Sequence, residues 1–161
     1  MSETTKINGY DATDEHLTFT ISGEDYGLEI NYIKDIIQMQ EITRVPGVAP
    51  YIIGITNLRG SIVPVVDVRI RFGKEPQAYH ERTCIVVIEL DEMQIGMVVD
   101  AVQEVIHIPD SVVTQPPKMS AASENRYVRS IGNLDEKKII LLLDIQRLFY
   151  DGDVFPAAQV G

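Results

Sequence analysis

The amino-acid sequence predicts an all-β fold made of two similar halves, each large enough for one small barrel. Short stretches rich in Val, Ile, Thr and Tyr are separated by acidic or glycine-containing turns, a spacing typical of β-strands. Two blocks of sequence recur in the same order, which indicates a tandem duplication. The 161 residues are 45% hydrophobic and 24% charged, as in an ordinary folded chain. The predicted strands are 17–21, 26–30, 53–58, 62–66, 84–90, 94–99, 127–134 and 139–143.

The first repeated block is a hairpin followed by an apolar segment. Residues 19–37 align with residues 86–106 when Gly27 is placed over Gly96. The apolar and acidic positions that follow the hairpin then coincide, which predicts the same local structure in both halves. The coinciding positions are Ile30 with Val99, Ile33 with Val102, Asp35 with Glu104 and Ile37 with Ile106.

The second repeated block is another hairpin followed by a short helix. Residues 51–72 align with residues 127–149, and one additional turn residue in the second copy brings Asp67 onto Asp144. Chance similarity among short β-segments is the alternative explanation. Two blocks in the same order favour duplication.

Each half is predicted to end in a short helix. Asp67 and Asp144 can each accept a hydrogen bond from a first-turn amide, as N-cap residues do. Ile145, Leu148 and Phe149 have the i, i+3, i+4 spacing of one helical face. The closing helices should therefore bury one apolar face each.

Two further signals give local predictions. Pro64 has no amide hydrogen to donate, so the strand at 62–66 is predicted to be an edge strand or a bulged strand. Asp100 and Gln103 have the spacing of a capping box, which predicts the start of a helix.

The domain organisation follows from composition and from the duplication. Polar residues dominate 1–14, and small residues dominate 151–161, so both segments are predicted to be flexible tails. Between them we expect a first barrel at about 15–72, a linker at 73–82 and a second barrel at about 83–150.

Charge and cysteine usage exclude several classes of partner. Subtracting 14 basic from 24 acidic side chains leaves a net charge of −10, and the sequence pI is about 4.6. Such a chain repels nucleic acid and anionic lipid, so neither is an expected partner. The single cysteine, Cys84, fits a reducing compartment, and no apolar run has membrane-spanning length. We therefore expect a cytoplasmic protein without direct membrane insertion.

The residues for catalysis and metal binding are missing from the sequence. The three histidines, His16, His80 and His107, lie outside any recognisable catalytic motif. One cysteine and no paired histidines make a zinc site improbable. No glycine-rich loop joins a strand to a helix where backbone amides would hold phosphate. We expect no catalytic residue, no metal and no cofactor.

One hairpin tip differs in charge from the others. Three predicted tips are acidic, but the fourth carries Arg59 and Gly60. A tight turn explains the glycine, because glycine adopts positive φ without a Cβ penalty. Arg59, whose repeat counterpart is Asp135, is either a solvated charge or a docking residue, and planar guanidinium suits docking.

An excess of apolar residues follows the first hairpin of each half. A barrel of about sixty residues buries alternate strand positions only, so part of each set must face the other barrel, a bound helix or solvent. The alternative is a core between the barrels, and we expect it to take about half of them. The residues are Ile30, Ile33, Ile36, Ile37, Val98, Val99, Val102, Val105 and Ile106.

Three segments make the chain similar to a known family. They are YGLEI at 26–30, ITRVPGVAPYIIGITNLRGSIVPVVDVRIRFG at 42–73 and IGMVVDAV at 95–102. On these residues the chain resembles the CheW coupling-protein family of bacterial chemotaxis, from about 17 to 149. The resemblance implies two tandem five-stranded Src-homology-like barrels with short helices.

The resemblance also implies partners and interface residues. Members of the family join the cytoplasmic tips of methyl-accepting chemoreceptors to the regulatory domain of the histidine kinase CheA. The receptor groove would comprise Ile30, Ile33, Ile37, Val98, Val99 and Val102. The kinase-facing surface would comprise Arg59, Gly60, Ile42, Arg44, Tyr51 and Gly54.

We therefore expect a non-catalytic cytoplasmic adaptor that is recruited to membrane-associated receptor arrays. One alternative is the coupling module of a CheV-type or CheA-type protein, but a receiver domain would need about another hundred residues. A second is an OB-like small-barrel ligand-binding protein, whose groove should be basic and aromatic. This chain has no Trp, four Phe and an acidic balance.

Overall fold

The structure is a computed structural model that describes residues 6–7, 10–11, 14–116, 126–135 and 138–150. Most of the predicted 1–14 tail and all of 151–161 lie outside the described residues. The strands are β1 (Lys6–Ile7), β2 (Tyr10–Asp11), β3 (Glu15–Ile21), β4 (Glu24–Glu29), β5 (Ile33–Gln38), β6 (Ile52–Leu58), β7 (Ser61–Asp67), β8 (Cys84–Leu90), β9 (Met93–Val99), β10 (Ala101–His107), β11 (Val113–Thr114), β12 (Val128–Asp135) and β13 (Lys138–Leu143). The helices are α1 (Val68–Arg71) and α2 (Ile145–Tyr150).

The all-β prediction is confirmed, because two sheets and a few short helices form the fold. Sheet I has five strands in the order β5-β8-β9-β7-β6, and sheet II has six in the order β10-β3-β4-β13-β12-β11. All neighbours are antiparallel except the parallel pairs β7–β9 and β4–β13. Strands β1 and β2 pair only with each other.

The strand membership of the sheets differs from two barrels formed one after the other along the chain. Hairpin β3–β4, from the first repeat, lies between β10 and β13 in sheet II. Hairpin β8–β9, from the second repeat, lies between β5 and β7 in sheet I. The repeats have exchanged hairpins, so the segment at 73–82 separates two repeats but not two sheets.

Two glycines at equivalent repeat positions permit the close packing around the exchanged hairpins. A Cβ atom added to Gly27 would lie 2.9 Å from Cγ2 of Ile140, and one added to Gly96 would lie 2.8 Å from Cγ2 of Ile85. Each glycine is a partner in the parallel pairing of its hairpin, Gly27 with Leu142 and Gly96 with Val65. The two glycines that align in the predicted repeat thus have the same packing role in the two sheets.

Sheet I curls until the two ends of its strand order meet. After β5 the chain crosses to β6, where Thr43 and Ile55 exchange two backbone hydrogen bonds of 2.8 and 2.9 Å. Asp35 on β5 also pairs with Arg59 at the β6–β7 turn, with 3.1 Å between nitrogen and oxygen. Sheet II has a comparable pair, Glu104 on β10 with Lys138 on β13 at 3.6 Å.

The largest hydrophobic cluster, here called the central core, takes side chains from both sheets and both helices. Four buried aromatic rings run through it in contact, with centroids 5.3–6.3 Å apart. The buried face of α2 also lies in it, which confirms the predicted helical face. The four rings belong to Phe19, Tyr26, Phe72 and Tyr127.

Two smaller clusters lie on the other faces of the sheets. Core I belongs to sheet I and contains Val65, Ile85, Val87 and Val98. Core II belongs to sheet II and contains Ile108, Ile140 and Leu142. Each sheet is therefore covered on both faces over its middle strands, which limits the apolar surface left for a partner.

The predicted N-caps are confirmed in both repeats. The Asp67 carboxylate accepts a hydrogen bond from the Arg69 amide at 3.0 Å, and Asp144 accepts one from the Arg147 amide at 3.1 Å. Asp67 also accepts one from the Tyr79 hydroxyl at 2.7 Å, which ties the linker to α1. Burial and this hydrogen bond raise the pKa of Tyr79 above its usual value.

Two local predictions have a different outcome. The capping-box prediction at Asp100 is wrong, because the next residue, Ala101, begins strand β10. Asp100 instead pairs with Arg69 and accepts a hydrogen bond from the Ser22 amide at 2.7 Å. Pro64 lies in β7, an interior strand, but the parallel pairing with β9 starts only at Val65. Pro64 therefore resembles a residue of an edge strand, because it needs no partner strand on its second side.

Candidate functional site: two docking surfaces

Two of the residues predicted to line an exposed groove are buried. Val98 is 3% exposed and belongs to core I, and Val99 is 1% exposed and belongs to the central core. Their strand, β9, lies in the middle of sheet I and is covered on both faces. In this structure neither valine exposes side-chain surface to a partner, and their predicted role in the groove stays a prediction.

The remaining four groove residues are half-buried and divide between two locations. Ile33 and Val102 both pack against the central core, and they occupy equivalent positions in the two repeats. Ile37 instead packs against core I, on the opposite face of β5. Ile30 lies in the 3-10 turn Ile30–Tyr32 that joins β4 to β5. The structure thus places only Ile33 and Val102 along one core boundary.

Strand β5 ends sheet I and strand β10 ends sheet II, and each has a half-buried side chain packed against the central core. The Cys84 side chain on β8, the neighbour of β5, interacts with the Val102 backbone on β10. Burial raises the pKa of the Cys84 thiol, so the thiol stays protonated at neutral pH. The two edge strands therefore border one surface.

Two exposed apolar side chains lie on these edge strands. Ile36 on β5 is 42% exposed, and Val105 on β10 is 47% exposed. Ile36 is paired opposite Val86, and Val105 is paired opposite Leu17. Because Val86 and Leu17 belong to the central core, Ile36 and Val105 lie on the sheet faces that border this core. We call this surface the edge cleft; it comprises Ile33, Ile36, Cys84, Val102 and Val105.

The sequence signal for the edge cleft was present but incomplete. Ile36 and Val105 belong to the apolar excess noted in the sequence, and they are repeat counterparts. The predicted groove includes Val98 and Val99 but neither Ile36 nor Val105. Hydrophobicity alone does not distinguish them, since exposure depends on which strand lies at a sheet edge.

Gly54, predicted to lie on the kinase-facing surface, is buried. Its φ is +149°, and an added Cβ would lie 2.3 Å from the Thr43 carbonyl oxygen and 2.6 Å from Cγ2 of Ile42. The glycine lets β6 approach the 43 segment where sheet I closes. The structure gives Gly54 a packing role, and its predicted role in kinase docking stays a prediction. Ile42 is half-buried against core I.

The turn at Arg59 and Gly60 is an exposed, well-defined structure. Both residues have positive φ, 52° and 89°, and the Gly60 amide donates to Oδ1 of Asn57 at 2.9 Å. The positive φ predicted for Gly60 is confirmed. The Arg59 side chain is 84% exposed, so its pair with Asp35 leaves most of the guanidinium open to a partner.

The other predicted kinase-facing residues lie toward the linker. Arg44 is exposed, whereas Tyr51 is half-buried against the central core with the Arg71 guanidinium 4.8 Å from its ring centroid. A cavity of about 360 Å³ opens beside Arg44. It is lined by Arg44, Val45, Val48, Ala49, Pro50, Ile52, Ile53, Asp67, Ile70, Pro76, Gln77 and Tyr79.

The described residues also bear on metal binding and on membrane insertion. Within this part of the chain, no group of three or more His, Cys, Asp or Glu side chains is arranged to hold a metal ion. Neither short helix, nor any other helix in the ranges given above, has the length and hydrophobicity needed to cross a bilayer.

Comparison with known proteins gives consistent matches. The family model of the CheW-like domain matches residues 15–153. The chain is 31% identical over 148 residues to chemotaxis protein CheW of Klebsiella aerogenes, covering 92% of this chain and 89% of that protein. It is 33% identical over 105 residues to CheW of Bacillus subtilis, covering 65% and 67%. The crystal structure of scaffolding protein TtCheW from Thermoanaerobacter tengcongensis superposes with a TM-score of 0.78 at 30% identity, covering 87% of this chain and 94% of that one.

Proposed function

Because the chain belongs to the CheW-like domain family, we propose that it is a non-catalytic coupling protein of a chemotaxis system. It joins the cytoplasmic tips of methyl-accepting chemoreceptors to the regulatory domain of the histidine kinase CheA. The observation that carries the proposal is the family match over residues 15–153, together with the likeness in fold to a CheW scaffolding protein. The protein would work in the cytoplasm, at receptor arrays associated with the membrane.

The receptor-docking part of the proposal rests on the edge cleft. An amphipathic helix binds by laying its apolar face in a hydrophobic groove. Ile36 and Val105 offer exposed apolar area on two edge strands, and Ile33 and Val102 form the half-buried floor beside them. A receptor helix across these strands would bury both exposed side chains without disturbing either sheet.

The kinase-docking part rests on the Arg59–Gly60 turn of the first repeat. The turn is rigid, because the Asn57 side chain and two positive φ angles define it. Ile62, two residues beyond the turn, is 62% exposed and supplies apolar area next to the guanidinium. An exposed Arg beside an apolar side chain is a common composition for a binding hot spot.

Replacing Ile36 with Asp should weaken binding of a receptor cytoplasmic fragment by about 10- to 100-fold, since burying one such side chain is worth about 1.5–3 kcal/mol. Titration calorimetry or co-sedimentation with the fragment would measure it. Ile139→Asp is the matched control, because Ile139 is 53% exposed on β13, outside the edge cleft. Unchanged receptor binding by a folded I36D protein would contradict the receptor-docking proposal.

Replacing Arg59 with Asp, its repeat counterpart, should lower activation of CheA in reconstituted arrays. Stability should change by no more than about 1 kcal/mol, because the ion pair with Asp35 is solvent-exposed. Lys138→Glu is the control, since it likewise reverses the charge of the basic partner in the comparable ion pair of the second repeat, Lys138 with Glu104. Equal loss of activation in the two variants would show that the effect is not specific to the Arg59 turn.

A further inference from the structure

The cavity beside Arg44 lies between three segments of the chain, and we call it the linker cavity. One wall is part of the 73–82 linker, and the others come from the segment 44–53 and the region of helix α1. Neither the edge cleft nor the Arg59–Gly60 turn contributes a described residue to its lining. Its volume of about 360 Å³ lies in the range of small-molecule sites, which are mostly apolar and carry a few polar groups.

Hydrogen bonds hold the walls of the linker cavity in place. The Tyr79 hydroxyl donates to Oδ2 of Asp67 at 2.7 Å, which ties the linker to the start of α1. In the segment 44–53, the Ile52 amide donates to the Ala49 carbonyl oxygen at 3.0 Å. The cavity is therefore preformed, so a ligand binds without the entropy cost of ordering a loop.

Much of the lining is apolar and open to a ligand. Of the six exposed large hydrophobic side chains in the described residues, two border the linker cavity, Val48 at 41% and Tyr79 at 44% exposed. Half-buried aliphatic side chains continue the lining beside them, among them Ile53 and Ile70. An apolar group placed in the cavity would bury area on both exposed side chains, which is favourable.

The charges of the lining favour an anion. Among the described lining residues, Asp67 has the only carboxylate, and it is 3% exposed. Its oxygens already accept hydrogen bonds, Oδ1 from the Arg69 amide and Oδ2 from the Tyr79 hydroxyl. A cationic ligand would therefore meet no accessible carboxylate there. Arg44 is the one cation of the same lining, and it is exposed.

Arg44 differs from most basic residues of this acidic protein. Six other Lys or Arg side chains form ion pairs with carboxylates, whereas Arg44 takes part in none within the described residues. A planar guanidinium with open N–H donors binds a carboxylate through two parallel hydrogen bonds. The net charge of −10 opposes an anion at long range, but salt screens that repulsion beyond about 8 Å. The local charge of Arg44 therefore decides which ligand fits.

We propose that the linker cavity binds a small organic carboxylate with a branched aliphatic or aromatic body. The Arg44 guanidinium binds the carboxylate, and the body packs against Val48, Ile53 and Tyr79. The buried Asp67 carboxylate repels a second anion, which keeps the charged end of the ligand at Arg44 and its apolar end inside. Binding is a property of the free chain and does not depend on receptor or kinase docking.

The test is an NMR titration of the full chain with hydrocinnamate, following the backbone amide signals of residues 44–53 and 77–79. These signals should shift saturably, with a Kd on the order of 1 mM for so small a ligand. Hydrocinnamamide has the same shape but no charge, and it should bind about fivefold more weakly, because an ion pair at an exposed Arg is partly solvated. Acetate, which lacks the apolar body, should give no saturable shift.

Two variants locate the binding. Arg44→Gln should reduce the affinity for hydrocinnamate to that for hydrocinnamamide. Arg82→Gln is the matched control, because it removes the same charge from an exposed residue outside the linker cavity and should leave the affinity unchanged. Val48→Asp, at an exposed position, places a carboxylate beside the ligand and should abolish binding without unfolding the protein.

Three outcomes would each overturn the proposal. One is the lack of any saturable shift with hydrocinnamate, and another is an R44Q variant that binds hydrocinnamate as tightly as the wild type. The third is equal affinity for hydrocinnamate and hydrocinnamamide. That result would show that the linker cavity takes an uncharged apolar group, such as a side chain of a protein partner.

Discussion

A fragment of residues 14–82, which holds the whole first repeat, is expected to be unfolded as a monomer. It retains the two hairpins β3–β4 and β6–β7 but loses every pairing with β8, β9, β10 and β13. An isolated two-stranded hairpin is at best marginally stable in water. Circular dichroism and the dispersion of amide NMR signals would measure the loss of structure directly.

Mixing this fragment with residues 83–150 should restore the fold. The first fragment supplies hairpin β3–β4 to sheet II, and the second supplies hairpin β8–β9 to sheet I. A 1:1 complex with a cooperative unfolding transition is the expected result. Size-exclusion chromatography should be run on the first fragment alone, since two copies of it can exchange hairpins in the same manner. Cooperative unfolding of a monomeric fragment would contradict the exchanged arrangement.

Gly54→Ala should destabilise the protein by about 2–5 kcal/mol, the sum of a strained φ and an overpacked contact. The new Cβ would meet the Thr43 carbonyl oxygen at 2.3 Å, and that oxygen accepts the Ile55 amide hydrogen bond of 2.9 Å. Moving the 43 segment away would therefore break the closure of sheet I. Urea denaturation of the variant and the wild type would measure the difference.

Ser130 gives the matched control, because it is the repeat counterpart of Gly54. It is 3% exposed, and its hydroxyl has no hydrogen-bond partner among the described residues. Ser130→Ala should therefore leave the free energy of unfolding unchanged or raise it slightly. A Gly54→Ala variant as stable as Ser130→Ala would show that the backbone at 54 moves without cost.

Much of the local structure was predictable because it follows from neighbouring residues. Aligned glycines and aspartates made the duplication visible in the sequence. The equivalent strand orders of the two sheets confirm it. The N-caps at Asp67 and Asp144 need only a carboxylate and the amides that follow it. The capping-box spacing at Asp100 shows the limit of this reasoning, since the same residue types also serve a partly buried ion pair with Arg69.

The candidate site was less predictable because exposure is a property of the whole fold. Val98, Val99, Ile36 and Val105 are all aliphatic residues in or near a strand. The first two lie on an interior strand covered on both faces, and the other two lie on edge strands. No local pattern separates them, since strand order in a sheet is set by contacts between distant parts of the chain.

The sequence by itself predicted eight of the thirteen strands in the described residues, the two repeats, the helix caps and the family to which the chain belongs. It did not predict β5 and β10, the two strands that carry the edge cleft. Only the tertiary structure decided that the repeats exchange hairpins, which aliphatic side chains remain exposed, and that Arg44 and Tyr79 border a cavity. The physical reason is that hydrogen-bond preference and hydrophobicity act on neighbouring residues, whereas burial depends on which strands pair. In this chain the pairing joins residues of opposite repeats.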